Sequence, residues 1–140
     1  MNSTLPQPRA FVLSAYREGL TASANHQRHC DLCADLALEG LPFREVDGRF
    51  KGVSEDGCLV VGHVEGTVRA LAHHFEQASY LAVSEWDRGA YLVNVQTGYF
   101  SSLGKLRNVG IVKPAGDYTA IDGWYYQTDG VTGPDLPGGF

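Results

Sequence analysis

Helical periodicity occurs in two stretches of this 140-residue chain, and everything else must fold as strand or turn. From Thr21 to Glu39, Leu32, Cys33 and Leu36 recur at three- and four-residue spacing, and Gly40 followed by Pro42 supplies a stop. From Thr67 to Gln77, Val68, Leu71, Ala72 and Phe75 repeat the pattern of an amphipathic helix. Around these lie short apolar runs bounded by turn residues. Phe11 to Tyr16 reads as a buried first strand. Pro42 to Phe50 alternates as a second, with a bend or bulge at Asp47-Gly48, and Gly57 to Val61 is a third. Tyr80 to Val83 and Tyr91 to Val95 follow as the fourth and fifth, and Gly110 to Val112 as a further one. The order βαββαβ predicts an α+β, ferredoxin-like sandwich with extra C-terminal strands and two helices on one sheet face. GCLVV and YLAV are apolar on both sides, so the opposite sheet face needs cover, by self-association or by the C-terminal tail.

The length suits one domain over residues 1–140, with 1–9 and about 128–140 expected to be loose. A net charge of −5 argues against a protein that coats nucleic acid or a membrane surface, since both need a basic patch. The start MNSTLPQPRAF lacks a charged segment followed by an apolar one, so no signal peptide is expected. No apolar run approaches the roughly 18 residues of a membrane span. Three cysteines, an odd number, fit a reducing compartment better than a disulfide framework. These features predict a cytoplasmic protein.

Three clusters are candidates for chemistry. HQRHCDLC spaces His26, His29, Cys30 and Cys33 as a metal cluster would. Four side chains strung along one helix cannot all converge tetrahedrally, however, and structural zinc draws ligands from separate elements. A thioredoxin-type CxxC would sit at a helix start directly after a strand, so Cys30 and Cys33 read as small core residues and no metal is expected. His73 and His74, adjacent on a helix, point roughly 100 degrees apart and cannot share a ligand. The stretch DGRFKGVSEDG sets Gly48, Gly52 and Gly57 around Phe50, Lys51, Glu55 and Asp56. As a glycine-rich loop it would let backbone approach a ligand beside an aromatic face and a carboxylate, and an ordinary solvated hairpin is the alternative. No nucleophile elbow, phosphate loop, HExxH or dinucleotide fingerprint is present.

Several segments, in order, resemble the phage-encoded S-adenosylmethionine (SAM) lyases, formerly called SAM hydrolases. FVLSAYREGL resembles the family's opening strand, and NHQRHCDL its Asn-x-x-Arg-His helix start. GRFKGVSED resembles its aromatic-then-acid loop, TVRALAHHFEQASYLAV its second helix and following strand, and GDYTAIDGWYYQ its C-terminal segment. The matches run from about Phe11 to Gln127. Two departures stand out: Phe50 occupies a position usually held by Tyr, and the spacing to the acid is shorter, which leaves Glu55 or Asp56 as the key carboxylate.

The resemblance implies cleavage of SAM to 5′-methylthioadenosine and L-homoserine lactone by attack of the substrate carboxylate on its own Cγ, with direct hydrolysis to homoserine the older alternative. It implies Glu55 as the catalytic residue, a carboxylate that orients the substrate through its ammonium and abstracts no proton, and Ser14, Tyr16, Arg17, Asn25, Arg28, His29 and Phe50 as substrate-binding residues. It implies no cofactor beyond the substrate, a homotrimer with sites between subunits, action in a host cytoplasm against SAM-dependent restriction, and no nucleic-acid or membrane partner. A carboxylate attacking carbon bound to sulfonium joins opposite charges, so a dry pocket that folds the substrate into attacking geometry suffices without a strong base. Two rivals stand beside this reading. One is a trimeric nucleotide-binding module without catalysis, like the PII-like nitrogen-signalling proteins. The other is a contact inhibitor of restriction that mimics DNA by its acidity, for which −5 with interspersed basic residues is a weak charge.

Overall fold

The computed structural model describes residues 8–50, 52–84 and 88–128, and of Phe50 its backbone alone. Nine strands and two helices follow in the order β1 (Pro8–Leu13), α1 (Ala22–Leu38), β2 (Phe43–Phe50), β3 (Val53–Val61), α2 (Glu65–His74), β4 (Ser79–Ser84), β5 (Gly89–Asn94), β6 (Phe100–Lys105), β7 (Arg107–Gly110), β8 (Tyr118–Ile121) and β9 (Trp124–Gln127). All strands belong to one antiparallel sheet in the order β6-β5-β4-β1-β3-β2-β8-β9-β7.

The ferredoxin-like βαββαβ sandwich expected from the element order is not the architecture. The sheet dominates, with β5 and β6 extending one end and β8, β9 and β7 the other. Strand twist curls this long sheet until its two ends share a core. Leu106, next to the end of β6, packs in one cluster with Ile121 of β8, Tyr126 of β9, Val46, Leu59 and Val83, joined by Leu103 of β6 and Trp124. The result is nearly a barrel. Among the described residues no ladder joins β6 to β7, so closure stops one ladder short.

Side-chain alternation then divides the interior. Phe11, Leu13, Cys58, Val60, Tyr80 and Ala82 point to the helices, where they meet Leu32 and Leu36 of α1 and Val68 and Ala72 of α2. Ala10, Leu59 and Val83, the intervening residues, point into the curl. The sheet face expected to need a partner is thus covered by the chain's own C-terminal strands. Of the tail expected to be loose, about 128–140, residues 129–140 lie outside the described residues, as does the N-terminal arm up to residue 7, whereas Pro8 and Arg9 already belong to β1.

Local chemistry fixes the ends of α1. The Thr21 hydroxyl accepts from the Ala24 N–H at 3.1 Å, a side-chain N-cap, and Gly40 takes the left-handed conformation (φ 73°) just past the helix. The bend expected at Asp47-Gly48 is absent. Pairing of β2 with β3 runs unbroken from Phe43↔Val60 to Phe50↔Val53. Gly48 is needed for another reason: a Cβ there would lie 2.9 Å from the Tyr118 carbonyl oxygen of β8. What reads as an acidic loop is therefore the body of a hairpin, with Glu55 and Asp56 inside β3.

Candidate active site

A cavity of about 400 Å³ opens within the curl, in the size range of small-molecule sites. Leu81, Leu92, Leu103, Leu106, Tyr118 and Tyr126 supply much of its wall. Polar groups border it from Ser14, the β2–β3 hairpin (Asp47, Arg49, Glu55 and Asp56) and the chain around Asp117 and Gln127. Glu55 shares its side of β3 with Leu59, whose side chain belongs to the inner core, so its carboxylate is carried on the cavity face. Burial pushes its pKa above the ordinary carboxylate value, and the Ser14 hydroxyl offsets part of that rise. A partly desolvated carboxylate among leucines attracts a cation more strongly than one in bulk water.

Asp56 has a different occupation. Its Oδ2 accepts a 2.9 Å hydrogen bond from the Tyr16 hydroxyl, and its carbonyl accepts one of the same length from Ser14 Oγ. Burial, then this hydrogen bond, hold the Tyr16 phenol above its usual pKa. Together these bonds lock the end of β1 to β3 beside Glu55.

The eight residues expected at the site divide. Ser14 and Glu55 border the cavity; Tyr16, Arg17, Asn25, Arg28 and His29 do not, and the side chain of Phe50 lies outside the described residues. Asn25 clasps Arg17 through two bonds, accepting from its N–H at 2.8 Å and donating to its carbonyl at 3.2 Å. Arg28 donates to the carbonyls of Ala15 (2.6 Å) and Phe75, and its guanidinium lies 5.8 Å from the Phe75 ring centre. Arg17 pairs at 2.8 Å with Glu76, just past α2. These side chains tie the end of β1 to the start of α1 and the end of α2. Their partners are backbone and protein carboxylate. Gln77 completes the junction by donating to the Tyr16 carbonyl at 2.8 Å, and it also borders the cavity.

His29 is buried against the sheet. Its Nε2 lies 2.8 Å from a carboxylate oxygen of Glu45, and its ring meets Tyr16 edge-on at 6.5 Å. Cys33 and Cys58 lie beside it, and these three residues are the one group among the described residues with metal-ligand spacing. They sit on the helix side of the sheet, away from the cavity.

The model of the S-adenosylmethionine lyase family matches residues 11–129, nearly the whole described structure. The chain belongs to the S-adenosylmethionine lyase family. A comparison with curated proteins gives no significant match. The family segment takes in every wall of the cavity, including C-terminal residues that sequence reasoning did not single out. Asp117, Tyr118, Tyr126 and Gln127 all fall in the GDYTAIDGWYYQ stretch. Its aromatic density was the available signal. Register supplies the rest: Tyr118 is brought to the hairpin by pairing with Arg49. No helix among the described residues is long and apolar enough to cross a membrane.

Proposed function

We propose that this member of the SAM lyase family cleaves S-adenosylmethionine to 5′-methylthioadenosine and L-homoserine lactone within the cavity of the curled sheet. A carboxylate oxygen of the substrate attacks its own Cγ, the Cγ–S bond breaks, and its electron pair passes to sulfur. Sulfonium and carboxylate charges disappear together and no proton changes hands. Apolar walls favour this step, because the ground state carries more separated charge than the transition state. The leucine-lined cavity with a desolvated Glu55 on its face is the observation that carries the reading.

Glu55 belongs at the substrate ammonium. That cation keeps its charge through the reaction, so the attraction holds equally in ground and transition states and fixes the chain's fold. At the sulfonium the same attraction would be lost as bonds break and would raise the barrier. Tyr118, at the cavity border, offers aromatic surface to the adenine. The chemistry draws on no added cofactor or metal.

We also propose a homotrimer in which a neighbouring subunit completes each site, acting in a host cytoplasm to deplete SAM and blunt SAM-dependent restriction. Its support is the family and the exposed Ile111 and Val112 beside β7. The PII-like module rested on a ferredoxin-like fold and loses its basis with that fold.

Incubation of the purified protein with SAM, with chromatographic analysis of products at early times, tests the reading. Methylthioadenosine appearing together with homoserine lactone is expected. Binding without turnover would refute catalysis, and homoserine preceding lactone would refute the intramolecular route. Light scattering alongside activity tests assembly: a fully active monomer at micromolar concentration would rule out the shared site.

A further inference from the structure

The HQRHCDLC helix holds half of a ligand set, and the sheet holds the other half. His29 and Cys33 are one turn apart on the buried face of α1, with Nε2 and Sγ separated by 3.6 Å. Cys58 of β3, fully buried, brings its Sγ to 3.7 Å from that of Cys33. All three ligand atoms lie within 4.8 Å of one another. Zinc–ligand bonds of about 2.3 Å to sulfur and 2.0–2.1 Å to nitrogen imply tetrahedral edges of about 3.8 Å between thiolates and about 3.5 Å between thiolate and imidazole. The two measured edges match these values. Glu45 of β2 has an oxygen 2.8 Å from His29 Nε2 but lies outside this close-set group, so its largely exposed side chain must rotate to supply the fourth ligand.

We propose that His29, Cys33 and Cys58, with Glu45 in the fourth position, form a structural zinc site that pins α1 to β2 and β3. The site draws its ligands from a helix and two strands, the multi-element arrangement that the helix alone cannot provide. Zn²⁺ displaces the protons of both thiols, and these pass to solvent. Nε2 takes the metal as the neutral tautomer with its proton on Nδ1, a buried ring nitrogen without a hydrogen-bond partner among the described residues. Two thiolates neutralise the metal charge, which suits an interior position better than a carboxylate-only site. The exposed pair His26 and Cys30, 3.6 Å apart on the outer face of α1, is outside the set.

The test is metal retention by the reduced, full-length protein after loading with Zn²⁺ and desalting, read by elemental analysis, with Co²⁺ as a spectroscopic probe. One metal per chain is expected, with a thiolate-to-cobalt charge-transfer band and a rise in Tm on the order of 5–10 °C at hundredfold excess over Kd. Cys58→Ala and Cys33→Ser should each lower retention about tenfold or more and abolish the band, whereas Cys30→Ser keeps both. Comparing the metal-induced change within each variant removes any loss of intrinsic stability, and the half-buried Cys33 gives the same readout if Cys58→Ala does not fold. Wild-type protein that retains no metal would overturn the proposal. So would loss of binding in Cys30→Ser with binding intact in Cys33→Ser.

Discussion

Glu55→Gln isolates one charge with little change of shape. The residue lies half-buried on the inner face of β3, and glutamine keeps an acceptor for Ser14. A unit charge about 4 Å from an ammonium contributes at most about 4 kcal/mol at an effective dielectric near 20. A charge-assisted hydrogen bond nets about 1.5–3 kcal/mol, and one decade of rate corresponds to about 1.4 kcal/mol, so kcat/KM should fall about tenfold to hundredfold. The assay is methylthioadenosine formation over a range of SAM concentrations. The pH profile gives an independent sign. Glu55 must be ionised to act, and burial raises its pKa, so wild-type kcat/KM should decline on the acid side at a pH above the usual range for glutamate. Bound substrate opposes that rise, which places the acid limb of kcat at lower pH. Both limbs should disappear in the variant.

Stability moves the other way. A carboxyl whose folded pKa is raised contributes stability below its unfolded pKa and loses it as pH rises through the folded one. At neutral pH the ionised Glu55 is therefore a liability, and Glu55→Gln should melt no lower than wild type. Asp56→Asn should instead weaken the bond to Tyr16 and lower Tm while leaving kcat/KM within about threefold. Normal turnover by Glu55→Gln with a dead Asp56→Asn would show that the carboxylate on the opposite face of β3 is the functional one, and the cavity assignment would be wrong.

Arg28→Ala should cost about 1–3 kcal/mol in denaturant unfolding, because it strands the Ala15 carbonyl and leaves that of Phe75 with Gln77 as its donor, while activity per folded molecule persists. If substrate saturation collapses with stability unchanged, Arg28 binds substrate instead. Chelation should lower Tm by removing zinc from the helix–sheet cluster and leave kcat unchanged below the melting range; zinc-restored loss of kcat would refute the metal-free reaction.

The two helices were legible because their apolar spacing, the Thr21 cap and the Gly40 stop are all local. Strands β1 to β5 were visible as apolar runs. β6, β8 and β9 were not, since FSSLGK, YTAI and WYYQ are short and their burial comes from pairing with distant chain, as Asp47 does with Ala120. Missing them turned a curled nine-stranded sheet into an expected two-layer sandwich. Glu55 and Asp56 read as loop because glycines flank them, and only register shows that they face opposite ways. The polar residues from Ser14 to His29 have the composition of a binding site, yet most are occupied by backbone carbonyls and carboxylates that sequence cannot pair with them. Cys58 stands 25 residues from Cys33, a separation at which no ligand spacing is recognisable.

A polar substitution in the cavity wall tests the physical basis of the reaction. Leu92 borders the cavity from β5 and is only partly buried, so Leu92→Asn can be tolerated by the fold. Its amide would donate to the substrate carboxylate, stabilising the nucleophile before attack by about 1.5–3 kcal/mol, more than it stabilises the charge-depleted transition state. Both KM and kcat should then fall, each on the order of tenfold, and kcat/KM should change little. Leu92→Val removes a methylene group without adding a dipole and should leave the ratio of the two effects unmoved. A fall in kcat with KM raised would mean that the asparagine disturbs packing and nothing more. An unchanged kcat with tighter binding would mean that polarity stabilises ground and transition states alike, contrary to a reaction driven by the joining of opposite charges in a dry site.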